Sequence, residues 1–189
     1  MIALRSTLFM AYAIVWSLPT ISLVILAALV LRGRWGYRLG KMWRLGVQFG
    51  VRYILGIRPR FIGLENMPAE PCLILCKHQS AWETMLIQDC VPQGAYCVFV
   101  FKKELLRVPV LGWGLGAMRM ISIDRGDGKA ALERIVRQGR ERLQQGYYIV
   151  IFPEGTRVPS GKKRRYKLCG AYLATHVGCK VVPVAHTAG

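Results

Sequence analysis

Hydrophobic and polar positions divide the chain into two regimes. Residues 7–31 carry only apolar, small or hydroxyl side chains, a run longer than the about 20 residues with which a helix crosses a hydrocarbon core. Pro19 lies near its middle and can kink or break a helix, so a straight span and a bent hairpin dipping into one leaflet are both open. A cleaved signal peptide is the other reading of such a run. Its apolar core is only about 7 to 15 residues long, and no A-x-A site follows here, which argues against cleavage. Next come Arg32, Arg34, Arg38, Lys41, Arg44 and Arg52, interleaved with Trp35, Tyr37, Trp43, Phe49 and Tyr53. That mixture predicts an amphipathic helix at a membrane interface, whereas a merely solvated basic helix would not require two tryptophans.

After Pro59 short apolar runs alternate with helical segments. Strands are predicted over 60–63, 72–77, 96–101, 120–124, 147–152 and 180–185. The clearest helix runs over 127–145, with Leu132, Ile135, Val136, Gly139 and Leu143 at core spacing and Gly146 as its stop. This alternation predicts an α/β domain: a mixed, largely parallel sheet flanked by helices, over residues 59–189. Residues 1–58 form a separate membrane-inserting helical module in this reading.

Charge sharpens the membrane reading. The chain has 27 Lys and Arg against 10 Asp and Glu, a formal net charge of +17, with 53% hydrophobic residues. Such a balance calls for an anionic partner, and the hydrophobic content points to anionic lipid rather than nucleic acid. No acid precedes Glu65, whereas nine of the 27 basic residues do, which predicts a cytoplasmic flank. The six cysteines contain no C-x-x-C pair and read as reduced residues. Cys72 and Cys76, roughly 13 Å apart in an extended run, cannot share a metal, so no zinc site is expected.

Two motifs follow predicted strands, His78-Gln-Ser-Ala-Trp-Glu83 and Phe152-Pro-Glu-Gly-Thr-Arg157. Open α/β sheets place their ligand sites at strand ends. A histidine removes a proton from a hydroxyl only when its tautomer and orientation are fixed, and a carboxylate five residues on can fix them. Glu83 equally completes a capping box with Ser80, and His78 equally reads as a satisfied, half-buried histidine. In the second motif Gly155, Thr156 and Arg157 gather amide, hydroxyl and guanidinium donors that can grip a phosphate, although an ordinary surface turn has the same composition. Glu154 is the odd member, because an acid repels phosphate unless paired. Asp124-Arg125 ends another strand and offers either a second guanidinium or a local ion pair. The cluster Lys162-Lys163-Arg164-Arg165 reads as a basic loop or a solvated turn. Cys76 and Ser80 flank His78 but lack the local signature of covalent nucleophiles, and no P-loop or G-x-S-x-G occurs.

Lys77-His78 to Glu83, Ile123-Asp124-Arg125, Phe152 to Arg157 and Val182-Pro183-Val184, in this order, resemble the four motif blocks of the lysophospholipid acyltransferase family, within it the bacterial members that acylate lysophosphatidic acid. The likeness covers roughly residues 60–185. The family's first block is N-H-x-x-x-x-D, so lysine stands here for asparagine and Glu83 for aspartate. The resemblance implies transfer of a fatty acyl group from a thioester to the sn-2 hydroxyl of lysophosphatidic acid, giving phosphatidic acid. It implies His78 and Glu83 as the catalytic pair, Arg125, Glu154, Gly155, Thr156 and Arg157 around the substrate phosphate, and Pro183 shaping the acyl site. It implies no metal or cofactor, with acyl-CoA or acyl carrier protein (acyl-ACP) bringing the acyl group. Anionic membrane lipids are the further partner, nucleic acid is not, and the expected location is the cytoplasmic face of the bacterial inner membrane. Acylation of another lysolipid or of glycerol 3-phosphate, and a non-catalytic, membrane-tethered anionic-lipid-binding protein, stay open as alternatives. The chain stops soon after the fourth block, so part of the acyl pocket is expected to be missing.

Overall fold

The computed structural model describes residues 1–30, 35–108 and 111–188. Arg32 and Arg34 of the basic flank, and the last residue of the 7–31 run, lie outside the described residues. In chain order the elements are α1 (Ile2–Val30), α2 (Trp35–Gly50), β1 (Leu73–Cys76), α3 (Trp82–Leu86), β2 (Tyr96–Lys102), α4 (Leu111–Ala117), β3 (Ile121–Ile123), α5 (Gly128–Gln144), β4 (Tyr147–Ile151), α6 (Cys169–Val177) and β5 (Val181–Val184). They fall into two compact units, residues 1–60 with 108–118, and residues 61–107 with 119–189.

In the first unit α1 runs through Pro19 without interruption, so the break that proline permits does not occur. Its 26-residue stretch Ile2–Ala27 has a mean hydropathy of 2.0 and is long and apolar enough to cross a membrane. Leu8, Ile14, Val15, Leu18, Leu23 and Leu26 are exposed along it. Helices α1 and α2 lie antiparallel and approach closely at Gly46, where a Cβ would stand 2.0 Å from the Trp16 ring. Aromatic hydrogen bonds lock this contact: Tyr12 donates to the Gly46 carbonyl at 2.8 Å, Trp16 to the Trp43 carbonyl at 3.0 Å and Trp43 to the Ser17 hydroxyl at 2.9 Å. Part of the expected interfacial face is therefore interior. Arg44 and Tyr37 are buried, while Lys41, Met42, Leu45, Phe49 and Tyr53 stay exposed.

The second unit is built on a five-stranded sheet in the order β3-β2-β4-β1-β5, with every neighbouring pair parallel. Strand side chains alternate between faces. Cys72, Ile74, Cys76, Tyr148 and Val150 form one buried face with Ile87 and Cys97. The opposite face is covered by α5 and α6. Gly139 of α5 permits that packing, because a Cβ there would stand 2.5 Å from Leu173 of α6 and 3.4 Å from Ile149 of β4. The buried stripe of α5 is Ala131, Ile135 and Gly139, which shares Ile135 and Gly139 with the expected one.

One expected strand is absent. Residues 60–63 are irregular, since Gly63 turns into the left-handed region at φ 79° and leads into a 3-10 turn over Leu64–Asn66. Ile62, exposed at 84%, has no sheet to join.

Candidate active site

Parallel pairing sets the site. β1 and β4 are neighbours with Leu75 opposite Ile151, so the residues just past their carboxyl ends, His78 and Phe152, emerge side by side. The His78 ring stacks on Phe152 with centroids 4.1 Å apart and planes 16° from parallel. Two backbone links bind the following turns together. The Val158 amide donates to the His78 carbonyl at 2.8 Å, and the His78 amide faces Glu154 Oε2 at 3.4 Å. The two motifs thus share one rim of the sheet.

Glu83 lies in the first turn of α3 and is only 2% exposed. Its Oε1 sits 2.5 Å from His78 Nδ1. The same carboxylate accepts from the Gln79 amide at 3.0 Å, the Ser80 amide at 2.9 Å and the Ser80 hydroxyl at 2.6 Å. Capping the turn and holding the histidine are therefore one arrangement, not alternatives. Burial raises the Glu83 pKa, but the bonds from His78, Ser80 and the backbone outweigh it and hold the group down at about 2. An ionised carboxylate only accepts, so Nδ1 carries the ring proton and Nε2 keeps its lone pair. No described residue bonds Nε2, and the ring remains 17% exposed.

This geometry has a consequence for acid stability. A carboxyl whose pKa falls on folding stabilises the native state above its unfolded value, near 4.5, and that contribution disappears as pH drops toward about 2. Thermal melts from pH 6 to pH 2 should show the stability gap between the parent and Glu83→Gln narrowing across this interval. A gap constant with pH would contradict the arrangement.

The second turn divides by burial. Pro153 and Glu154 are buried, Gly155 is half-buried at φ 70°, and Thr156 and Arg157 are exposed. That positive φ is one that glycine adopts at little cost, and it turns the chain so that the Gly155 amide bonds the Phe152 carbonyl at 2.9 Å. Glu154 turns inward to the His78 amide, which places it under the site while Thr156 and Arg157 face outward.

The other expected residues lie further off. Arg125 opens the turn after β3, two strands from β4 and three from β1, roughly 10 and 14 Å at the usual strand spacing; its side chain lies outside the described residues. Asp124 does not depend on Arg125 for its ion pair, since Lys103 reaches it at 3.3 Å. Sequence reasoning missed Lys103 because only the pairing of β2 with β3 brings the two together. Pro183 is exposed on the edge strand β5 opposite Leu75, three residues short of His78, and an edge is where a strand tolerates proline. Also missed was His186, whose Nε2 lies 2.6 Å from the Lys77 carbonyl and braces the approach to His78. The adjacency of β5 and β1 that places it there is not visible in one sequence.

Neither candidate nucleophile is activated. Burial, and then the Glu83 charge, push the Cys76 thiol up to about 12, so it stays protonated at neutral pH. The Ser80 hydroxyl is committed to Glu83 and to the Trp82 amide at 3.1 Å. All six cysteines are free, and among the described residues no three His, Cys, Asp or Glu side chains gather as a metal site.

The family model described as Acyltransferase matches residues 58–187. A 1-acyl-sn-glycerol-3-phosphate acyltransferase of Pseudomonas aeruginosa is 40% identical over 99% of this chain and 72% of its own length. The sheep enzyme named 1-acyl-sn-glycerol-3-phosphate acyltransferase alpha is 27% identical over 71% of this chain, which spans 46% of it. The crystal structure of PlsC, the 1-acyl-sn-glycerophosphate acyltransferase of Thermotoga maritima, superposes with a TM-score of 0.62 at 24% identity, covering 96% of this chain and 73% of that one, and so shares the fold. With a family match over more than half its length and a bacterial relative 40% identical over 99% of this chain, the chain belongs to the acyltransferase family.

Proposed function

We propose that this chain transfers a fatty acyl group from a thioester to the sn-2 hydroxyl of lysophosphatidic acid, producing phosphatidic acid for phospholipid synthesis. The observation that carries the reading is the 2.5 Å contact between His78 and a buried, ionised Glu83, tied through the backbone to the turn that presents Thr156 and Arg157. The names of the relatives supply the acceptor.

In this mechanism Nε2 of His78 takes the proton of the acceptor hydroxyl as its oxygen bonds to the thioester carbonyl carbon. The resulting imidazolium is stabilised by Glu83 through Nδ1. Collapse of the tetrahedral intermediate breaks the carbon–sulfur bond, and the departing thiolate takes the proton back from Nε2. Lysophosphatidic acid and acyl thioester become phosphatidic acid and free thiol. His78 ends each cycle neutral, with no cofactor needed.

Arg157 and Thr156 hold the substrate phosphate, with Gly155 shaping the turn that presents them through its amide's bond to the Phe152 carbonyl, and a guanidinium matches a phosphate with paired hydrogen bonds. Glu154 acts as a positioning residue beneath them. Arg125, by its place in the fold, belongs to the far side of the rim and meets only an extended part of the substrate; Pro183 borders the acyl chain from β5. The acyl group arrives on coenzyme A or on acyl carrier protein. Residues 1–58 anchor the chain to the cytoplasmic face of the membrane, where substrate and product both reside, and residues 59–189 carry the chemistry.

Arg157→Ala should raise KM for lysophosphatidic acid about 10- to 100-fold, the loss expected for one charge-assisted contact, while leaving KM for the acyl donor nearly unchanged. Steady-state assays varying each substrate in turn separate the two. An effect on the donor alone would move the phosphate site elsewhere. The acceptor itself is tested by offering lysophosphatidic acid, other lysolipids and glycerol 3-phosphate side by side. Preference for glycerol 3-phosphate would overturn the assignment.

A further inference from the structure

We propose that the loop from Lys162 to Leu168 is a second membrane-contact element, one that seats the catalytic rim of the sheet on an anionic bilayer. Four consecutive basic residues open it and Lys167 adds a fifth charge, all exposed. No Asp or Glu occurs anywhere after Glu154, and Glu154 is itself buried and turned toward His78. The positive field of this loop is therefore uncompensated by its own stretch of chain.

Charge alone would fit any polyanion. What favours a bilayer is the company it keeps: Tyr166 is 63% exposed and Leu168 is 74% exposed. Large apolar side chains standing in solvent among cations match an interface in which ammonium and guanidinium groups meet lipid phosphates while tyrosine and leucine enter the boundary beneath them. An acidic protein surface or a free phosphate would make no use of the exposed leucine.

The loop is fastened to the active-site rim, so contact made there is contact made beside His78. The Lys167 amide donates to the Pro153 carbonyl at 2.7 Å, within the turn that carries Glu154 and Arg157. Lys77 Nζ, adjacent to His78, donates to the Lys162 carbonyl at 3.3 Å. Leu168 is the N-cap of α6, whose Gly170 lies close against Leu75 of β1. A lysolipid held at the rim would then need to leave the bilayer only partway.

The test uses the full chain with p-benzoylphenylalanine in place of Tyr166, irradiated on vesicles and read by peptide mass spectrometry. On vesicles containing phosphatidylglycerol, residue 166 should form lipid adducts. Neutralising Lys162, Lys163, Arg164 and Arg165 to glutamine should cut their yield at least about tenfold, because each charge near an anionic surface contributes roughly fivefold. Vesicles of phosphatidylcholine alone should give a similar loss. The readout does not depend on turnover, so it stands or falls separately from the acyl-transfer assignment. Absence of lipid adducts, equal yields on neutral vesicles, or cross-linking to added acyl carrier protein in their place would overturn the proposal.

Discussion

His78→Ala is expected to lower kcat about a thousandfold, within the range that a positioned general base contributes, with KM for lysophosphatidic acid little changed. Tasks are separated across the rim. Nε2 is the ring nitrogen left with a free lone pair while the Nδ1 proton is donated in a hydrogen bond to the ionised Glu83, whereas Thr156 and Arg157 stand on a different turn. Removing the imidazole also removes its stack on Phe152, but the Glu83 carboxylate keeps the Gln79 and Ser80 donors, so the turn retains its bracing. Parallel measurement of thiol release and of equilibrium lysolipid binding distinguishes lost chemistry from lost structure. Loss of binding together with activity would assign His78 to substrate binding instead.

Glu83→Gln should cost on the order of a hundredfold to a thousandfold in kcat, for an electronic reason more than a steric one. The carboxylate accepts from the histidine ring, two amides and a hydroxyl, whereas a glutamine offers one acceptor oxygen and an NH2 that can only donate. If the oxygen stays at the Oε2 position with the Ser80 amide and hydroxyl, the NH2 takes the Oε1 position, meets Nδ1 and favours the tautomer protonated at Nε2, which leaves no base where the hydroxyl must bind. Nitrogen-15 NMR of the histidines reads that inversion directly. Glu83→Asp restores the aspartate of the family pattern and keeps the charge, yet on this backbone it withdraws the carboxylate by about the length of one methylene. A misplacement near 1 Å can cost about a hundredfold, so the aspartate variant should fall well below the parent while keeping its tautomer.

Much of this site is legible in the chain because its geometry is local or follows from one parallel strand pair. His78 and Glu83 are joined by a single turn, and both motifs follow apolar runs that pair as neighbours. Sequence could not decide between a cap and a histidine-holding carboxylate for Glu83, because in the folded chain one carboxylate does both. The pairs it missed cross between strands. Lys103 reaches Asp124 only because β2 pairs with β3, and His186 reads as a tail residue until β5 carries it to Lys77. The expected strand over 60–63 fails for a backbone reason, the left-handed Gly63, and the uninterrupted α1 shows that a proline within a long apolar helix need not end it. Arg44 and Tyr37 have the composition of an interfacial face, yet the close approach of α1 and α2 at Gly46 accompanies their burial.

The central claim is direct transfer of the acyl group to a hydroxyl activated by His78, with no acyl group resting on the protein. Rapid-quench time courses of free thiol and phosphatidic acid, with and without lysophosphatidic acid, test it most directly. The two products should appear together, one for one and without a lag, and thiol release should cease when the acceptor is omitted. A burst of thiol ahead of phosphatidic acid, or sustained release without acceptor, would instead reveal a covalent acyl-enzyme or hydrolysis and contradict the account.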